Sequence, residues 1–416
     1  MRIAILWQQE QSGGVDAHLW SLLKNWPDLS DSFIIFYNKG NNGYLRLKKE
    51  FDSLPNVKLI SYQSYSYQPL SSQINNKVLS FLVKSIAYIF LPFSVRMMTN
   101  KIGKLLVNYG NFDAIIANNG GYPAAWDCIS AIYAAEKILI PKRIMLVHHE
   151  ATKRKKLRYA RFEKRVDNKI QKSLTDLITV SFATRQSIID NRLFNPMLLP
   201  IQVIHNGIDE EYAKHNTNDI KLRKTFSLSD KSLIGMIGRI EKYKGHEDLI
   251  IACSMLPAKY LKKIKIIFIG NGEIKEINRL KKLANSNGLL SYIVFTGYLP
   301  GSSFNIIKQL DLLLSMTQDF EGFGLTIAEA MIVKTSVIAT DVGAVSEFFN
   351  NSVGDLVPSK SPQIVAEKII QYLDNPNSFL EKKENAEKII KNQFNAKLMS
   401  ENFRKILHKS SNQSLI

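Results

Sequence analysis

The stretch LLLSMTQDFEGFGLTIAEAM, residues 312–331, decides how this chain folds. It opens with an apolar run of the length of a buried β-strand, continues through two glycines, and ends with apolar side chains at helical spacing. This order predicts a strand, a glycine turn and the start of a helix. Such a unit directs free backbone N–H groups and the positive end of the helix dipole toward any phosphate bound at the turn.

Two carboxylates of this stretch, Glu321 and Glu329, have seven residues between them. Glu321 stands at the lip of the glycine turn, and Glu329 follows about two helical turns later. Carboxylates beside a bound phosphate suit the hydroxyls of a sugar or ribose, because an anion is a strong acceptor for O–H donors. Each glutamate alone would be interpreted as a solvated residue, but with Gly322 and Gly324 the pair predicts a nucleotide-sugar site.

The pattern E-G-F-G-L-x-x-x-E-A-M resembles the E-x7-E signature of retaining glycosyltransferases of family 4, the group 1 transferases, which have the GT-B fold. The resemblance implies an α/β protein of two Rossmann-like domains facing a central cleft, with a C-terminal helix crossing back to the first domain. It implies that Glu321 holds hydroxyls of the donor sugar and Glu329 holds the ribose. The helix start would bind the nucleotide sugar through Phe323, Gly324, Leu325 and Thr326.

Short apolar runs alternate with longer helical patterns along the whole chain, which is typical of α/β proteins with parallel sheets. At 416 residues the chain exceeds the usual size of one hydrophobic core. Two Rossmann-like units in tandem are the simplest account. The predicted strands are 3–7, 33–37, 57–60, 114–117, 144–147 and 177–180 in the first half, and 233–237, 264–269, 293–295, 312–315, 336–339 and 355–357 in the second.

The domain boundary is expected where Asn195-Pro196 and Pro200 interrupt this alternation. The run VIHNGID, residues 203–209, follows and resembles the family's interdomain motif. The predicted parts are an acceptor-binding domain, a nucleotide-sugar-binding domain and a C-terminal helical segment packed on the first domain, at residues 1–200, 201–385 and 386–416.

Two loops of the second domain carry the groups expected to contact the diphosphate and the base. GRIEKYKG, residues 238–245, places Arg239 and Lys244 at the carboxyl end of a strand, where they can converge on one diphosphate. It matches the family's G-R-x(4)-K-G motif, which implies phosphate binding; an isolated pair of this kind would be solvated loop cations. Asn271 and Gly272 lie in a G-x-G turn interpreted as a wall of the base pocket, although an ordinary tight turn explains the glycines nearly as well.

The first domain offers a glycine loop after its first strand. Residues 11–16, QSGGVD, resemble the family's N-terminal loop, in which Gly13 and Gly14 let the backbone approach a diphosphate or sugar closely. An ordinary glycine-rich turn is the alternative. Asp16 and His18 at the following helix start are predicted acceptor-side contacts.

A histidine pair ends the fifth predicted strand. Family members carry a histidine at this place facing the donor sugar, and His148 is the candidate here. His149 is the alternative, because side chains of a strand alternate between its faces and only one of the two reaches the site. A structural histidine is the competing interpretation.

Bulk composition bounds the partners and the compartment. Net charge is +18, which favours polyanions, but no zinc spacing, aromatic RNA motif or helix-turn-helix pattern accompanies it, so nucleic acid is not expected. Cys128 and Cys253 lie in apolar stretches and suggest buried thiols in a reducing, cytoplasmic compartment. No DxD motif, which would imply a metal, is prominent near the site. Neither a metal nor a cofactor is therefore predicted. The expected donor is a UDP-sugar, with a GDP-sugar second.

An apolar stretch rimmed by cations raises the prospect of membrane association. Residues 78–98 are strongly apolar but too short and interrupted for a spanning helix, and a second basic cluster covers residues 153–165. An apolar helix rimmed by cations can lie in the interface of an anionic membrane. We therefore expect peripheral attachment to the inner face of the cell membrane and a lipid-linked or lipopolysaccharide-type acceptor. The alternative is a core helix beside a solvated basic helix.

The resulting prediction is a retaining hexosyltransferase of cell-surface polysaccharide or lipopolysaccharide biosynthesis. It would move sugar from a nucleoside diphosphate to a glycan or glycolipid, with Glu321, His148, Arg239 and Lys244 as its catalytic groups. An inverting transferase, a sugar-nucleotide epimerase and a non-catalytic GT-B partner protein are the alternatives. A Rossmann dehydrogenase would need a G-x-G-x-x-G fingerprint, and the chain has no good one.

Overall fold

The computed structural model describes residues 1–10, 13–65, 77–154, 158–211, 220–228 and 231–409. The chain divides into two compact units. The first contains residues 1–205 together with 399–416, and the second contains residues 206–398.

The first unit is built on a seven-stranded parallel sheet. Its strands are β1 (Arg2–Trp7), β2 (Ser32–Asn38), β3 (Val57–Tyr62), β4 (Ala114–Asn119), β5 (Lys142–Val147), β6 (Asp176–Thr179) and β7 (Ile201–Val203). Its helices up to residue 205 are α1 (Gly14–Lys24), α2 (Asn42–Asp52), α3 (Lys77–Asn108), α4 (Trp126–Lys137), α5 (Arg158–Ser173) and α6 (Phe182–Arg192). The strand order β3-β2-β1-β4-β5-β6-β7 reverses between β1 and β4.

Burial explains why the strands are continuous apolar runs. The five side chains from Ile3 to Trp7 are all fully buried, as expected for a parallel strand with both faces covered by helices. Helix α3 has 32 residues and continues through Pro92. One of its faces is buried in the core and packs against α4, through Tyr88, Leu91, Val95, Met98 and Ile102.

The second unit has a six-stranded parallel sheet. Its strands are β8 (Ser232–Ile237), β9 (Ile264–Ile269), β10 (Ile293–Gly297), β11 (Leu312–Ser315), β12 (Ser336–Thr340) and β13 (Asp355–Val357). Its helices are α7 (Leu222–Thr225), α8 (His246–Ser254), α9 (Ala258–Leu261), α10 (Ile274–Ser286), α11 (Ser303–Ile307), α12 (Leu325–Ile332), α13 (Pro362–Asp374) and α14 (Leu380–Gln393). The order β10-β9-β8-β11-β12-β13 reverses between β8 and β11. The predicted fold of two Rossmann-like parallel sheets is confirmed.

The chain ends in two helices where one segment was predicted. Helix α14 lies in the second unit, and α15 (Ala396–His408) follows after Phe394 and Asn395, with its residues from Met399 onward in the first unit. There Phe403 is fully buried, and Ser400 donates to the carbonyl of Leu22 at 2.8 Å. These contacts tie the end of the chain to the first unit.

Candidate functional site

Three loops of the second unit leave the carboxyl ends of neighbouring strands. Residues 238–245 follow β8, residues 270–273 follow β9, and residues 316–324 follow β11. Since the strand order reverses between β8 and β11, these loops lie where open α/β sheets bind their ligands. The topology therefore brings the three predicted second-domain motifs to one edge of one sheet.

An ion pair joins two of the predicted site residues. Lys244 Nζ lies 2.7 Å from Glu321 Oε2, although 77 positions separate the two in sequence. Thr317 Oγ1 donates to the same carboxylate oxygen at 3.0 Å. Both side chains of the pair are largely covered, with 24% of Lys244 and 17% of Glu321 exposed. The carboxylate is thus held in one orientation by a cation and a hydroxyl.

Lys244 keeps its proton at neutral pH. Burial by itself disfavours the ammonium of Lys244, but the charges of Glu321 and Tyr243 outweigh it and hold the pKa of Lys244 above its ordinary value. The neighbouring His246 behaves oppositely, because burial and the charge of Lys244 lower its pKa to about 4. At neutral pH, therefore, Lys244 is a charged ammonium and its neighbour His246 is a neutral imidazole.

Arg239 occupies a more open position in the same loop. Its guanidinium pairs with Glu241 at 2.7 Å, and 49% of its side chain is exposed. A half-exposed arginine at the end of β8 is accessible to a bound anion. The structure thus brings Lys244 and Glu321 into direct contact and places Arg239 in the adjoining loop.

The backbone of Glu321 is fixed by a second loop. Its carbonyl accepts from the N–H of Ala344 at 2.9 Å, and a Cβ added at Gly343 would come closer than 3.0 Å to the Glu321 backbone. Real Cβ atoms essentially never approach so closely. The segment 341–344 therefore supports the predicted sugar-binding glutamate directly.

We expect Gly343→Ala to destabilise the second unit and lower turnover far more than Gly288→Ala does. Both glycines have positive φ, 58° and 69°, so left-handed strain costs about 1–2 kcal/mol at each. A Cβ at Gly288 meets nothing, whereas at Gly343 overpacking adds about 1–3 kcal/mol. Thermal unfolding and donor turnover of the two variants measure the difference. Equal midpoints and rates would show that Gly343 does not support Glu321.

The glycine turns after β8 and β9 pack backbone against backbone. A Cβ at Gly270 would overlap the carbonyl of Gly238, and one at Gly272 would overlap that of Ile240. The amide of Ile240 also donates to the carbonyl of Asn271 at 2.8 Å. Close packing explains these glycines, and the predicted role of Asn271 and Gly272 at the base stays a prediction.

The start of α12 has the expected form. Gly324 precedes the helix with φ of 100°, a conformation that favours glycine. Leu325, Thr326 and Glu329 are half-buried, and the first N–H groups of a helix have no acceptor within it. The ring of Phe323 is buried and stacks on Phe348, with centroids 4.8 Å apart. Because its ring is buried, Phe323 can contact a ligand only through its backbone.

In the first unit, the glycine loop is shaped by a buried aspartate. Gln11 and Ser12 lie outside the described residues. The N–H of Gly13 donates to Asp16 Oδ2 at 2.7 Å, and Gly14 is the first residue of α1. The carboxylate of Asp16 is fully buried and would clash with any side chain at Gly43. Asp16 thus fixes the loop, and its predicted acceptor contact remains a prediction.

The two histidines after β5 differ in burial. His148 is buried and its Nε2 lies 2.7 Å from Asn118 Oδ1, whereas His149 is half-buried. His148 also packs edge to face on His18, with ring centroids 4.6 Å apart. Burial, and then the proximity of His18, holds the pKa of His148 well below its ordinary value. With the amide oxygen of Asn118 as the acceptor, the neutral ring carries its proton on Nε2 and leaves Nδ1 as an acceptor.

Sequence reasoning missed several groups that support these sites. Thr317 donates to Glu321, and Asn118 orients His148. A buried charge network of the first unit was also missed: Arg192 pairs with Glu163 and Asp167, both at 2.9 Å. The only advance signal was position, since Thr317 and Asn118 lie at the carboxyl ends of predicted strands.

Within the part of the chain that the structure describes, no three His, Cys, Asp or Glu side chains form a group suited to a metal ion. Across the same residues, no helix has both the length and the apolar character needed to span a bilayer.

Solved structures show which fold the chain has. A glycosyltransferase from Rickettsia africae superposes with a TM-score of 0.76 at 22% identity, covering 99% of both chains. Anabaena HepE, solved with UDP and glucose, superposes with a TM-score of 0.74 at 20% identity, covering 98% of this chain and 99% of that one. The fold of the chain is that of GT-B glycosyltransferases.

Sequence comparisons relate the second unit to known glycosyltransferases. Residues 218–396 match the family model of glycosyl transferases group 1. An uncharacterized glycosyltransferase of Methanocaldococcus jannaschii is 29% identical over 65% of this chain and 69% of its own length. The capsular polysaccharide biosynthesis glycosyltransferase CapM of Staphylococcus aureus is 27% identical over 55% of this chain and 60% of its own, under two thirds of its length. The second unit is therefore similar in sequence to the glycosyl transferases group 1 family.

Proposed function

We propose that the protein is a retaining glycosyltransferase that moves a hexose-type sugar from a nucleoside-diphosphate sugar to a glycan or glycolipid. One observation carries the proposal. In a group 1 glycosyltransferase domain, Lys244 and Glu321 meet at the point where the strand order reverses, beside the start of α12. A cation suited to phosphate and a carboxylate suited to sugar hydroxyls are thus adjacent.

The diphosphate is the leaving group in this proposal. As the anomeric C–O bond breaks, negative charge grows on the phosphate oxygens, and Lys244, Arg239 and the N–H groups at the start of α12 stabilise it. An ammonium has three donors, so the bond from Lys244 to Glu321 leaves two for phosphate oxygens. These groups supply the neutralising charge, and the proposed mechanism uses neither a metal nor a cofactor.

Retention follows if the acceptor attacks from the face that the diphosphate leaves. The acceptor oxygen bonds to the anomeric carbon, and its proton passes to the departing phosphate oxygen. Glu321 holds hydroxyls of the sugar, Glu329 holds the ribose, and His148 accepts from a hydroxyl through Nδ1. Neither glutamate forms a covalent intermediate in this scheme.

The donor and the pathway are inferred from similar proteins. HepE was solved with UDP and glucose, which supports a UDP-sugar ahead of a GDP-sugar as donor. CapM belongs to capsular polysaccharide biosynthesis, which supports a cell-surface polysaccharide or lipopolysaccharide as the product. We place the enzyme in the cytoplasm on the inner face of the cell membrane, where a lipid-linked acceptor would be presented.

A donor screen followed by product analysis tests this function. We expect UDP and one UDP-sugar to raise the thermal unfolding midpoint of the wild type, because a ligand that binds only the folded state stabilises it. The shift should shrink in Lys244→Ala. NMR of the transfer product should show the anomeric configuration of the donor. An inverted linkage would exclude retention, and donor hydrolysis or epimerisation without transfer would exclude a transferase.

A further inference from the structure

Helix α3 carries apolar side chains on a second face, opposite the one buried against α4. Its members recur at spacings of three or four residues and are 36% to 66% exposed: Ile86, Ile89, Phe90, Phe93 and Met97. A helix that is apolar all round is normally buried on all sides. Exposed apolar surface of this kind marks a site of interaction with another molecule or a membrane.

A groove of about 560 Å³ lies beside this face, between α3, α4 and α5. Its floor is mostly apolar and buried, formed by Val95, Thr99, Tyr133 and Val166. Its rim carries four exposed cations, Arg96, Lys137, Arg165 and Lys169. The described residues that line it include no carboxylate, and none of these four cations is in an ion pair of the described chain.

The groove is therefore a cationic site with an apolar floor. Lys169 lies over the Tyr133 ring at 4.1 Å from its centroid, which joins the charge to the apolar surface. A free phosphate would use the cations and leave the apolar floor unused. A phospholipid headgroup with its glycerol and upper acyl chains would use both.

We propose that the exposed face of α3 and the groove together form a docking site for an anionic phospholipid bilayer. The apolar face lies in the membrane interface, and the groove receives an anionic headgroup. Arg96 joins the two, since it lines the groove and is next to Met97 of the exposed face. This docking site rests on the proposed function, which places the protein at the inner membrane. Lipid binding can nevertheless be measured without any sugar donor.

The basic cluster of residues 153–165, predicted from sequence to face an anionic membrane, contributes only in part to this docking site. Arg154 donates to Asp167 at 2.7 Å and to the carbonyl of Arg192, so it belongs to the internal charge network. Lys155 and Lys156 lie outside the described residues. Neutralising residues 153–156 would disturb folding, and the groove cations are the appropriate ones to change.

Flotation of the full chain with phosphatidylcholine vesicles, with and without phosphatidylglycerol, tests the site in the absence of nucleotide. The wild type should float only with the anionic vesicles, and high salt should release it. Arg165→Gln with Lys169→Gln should lower the partition coefficient about tenfold to thirtyfold, the loss expected for two cations near an anionic surface. Lys48→Gln with Lys49→Gln, two exposed lysines of α2, is the matched control.

A second pair of variants tests the apolar face. Phe90→Ser with Phe93→Ser should also reduce flotation, whereas Met197→Ser with Leu198→Ser, two residues of the same unit that are more exposed still, should not. Unchanged unfolding midpoints show that each variant folds. Wild-type flotation by either test pair, or equal flotation with neutral vesicles, would overturn the proposal. Release of the protein from vesicles by inorganic phosphate at matched ionic strength would also overturn the proposal, because it would assign the groove to free anions. A change in oligomeric mass without vesicle binding would overturn it as well.

Discussion

Glu321→Gln is expected to lower turnover by at least about a hundredfold while the donor's KM changes only a few-fold. The amide keeps the size of the side chain but loses the negative charge. In the wild type one oxygen of that charged group accepts hydrogen bonds from Lys244 and Thr317. The donor would still be held through its diphosphate and ribose. The reacting sugar would have a neutral amide in place of the charged carboxylate that aligns it, so the loss should appear in kcat.

Glu329→Gln is the matched control, since it makes the same change eight residues further along the chain, within α12. A ribose contact serves the ground state and the transition state alike, so this variant should mainly raise the donor's KM. Steady-state kinetics with the donor identified by the screen separates the two effects. Wild-type turnover in Glu321→Gln would remove Glu321 from the reacting centre.

Lys244→Ala and Arg239→Ala should each cost about 2–4 kcal/mol of transition-state stabilisation, the scale for one preorganised charge donor. This is about 30-fold to 1000-fold in kcat/KM. The affinity for free UDP should fall in both variants. Lys244→Ala should be the more damaging, because it also removes the partner of Glu321.

Calorimetry with UDP and a double variant check this prediction. Lys242→Ala, an exposed lysine of the same loop, is the control and should bind UDP as the wild type does. Lys244→Ala combined with Glu321→Gln should cost less than the sum of the single changes, because the residues are in direct contact. Unchanged UDP affinity in Lys244→Ala and Arg239→Ala would place both residues outside the phosphate site.

The sheets were largely predictable because a parallel strand buried on both faces is a short apolar run between turns. Ile264–Ile269, Leu312–Ser315 and Asp355–Val357 have the predicted bounds, and most other strands differ by one or two residues. Strand β7 was missed because Ile201–Val203 is short and adjoins the prolines that mark the boundary. Helix α3 was only partly predicted, since Pro92 suggested an interruption that the helix does not have.

The candidate site was predictable as a set of loops but not as a set of contacts. The glycines and charges of residues 238–245 and 321–329 stand out in sequence because they follow strands. The bond from Lys244 to Glu321 depends on β8 and β11 being neighbours, which sequence spacing does not reveal. The burial of His18 against Phe403 likewise depends on where the last helix packs.

The backbone contacts among the glycine loops also limit how this enzyme can be engineered. A mutant library that randomises Gly245, Gly270 or Gly272 would consist mostly of clones whose loops no longer close, because each position faces a carbonyl at less than 3.0 Å from a new Cβ. Leu325 and Thr326 are the better positions to randomise, because both are half-buried residues that are not glycines in close backbone contact. Selection for a new donor would then act on clones that still fold.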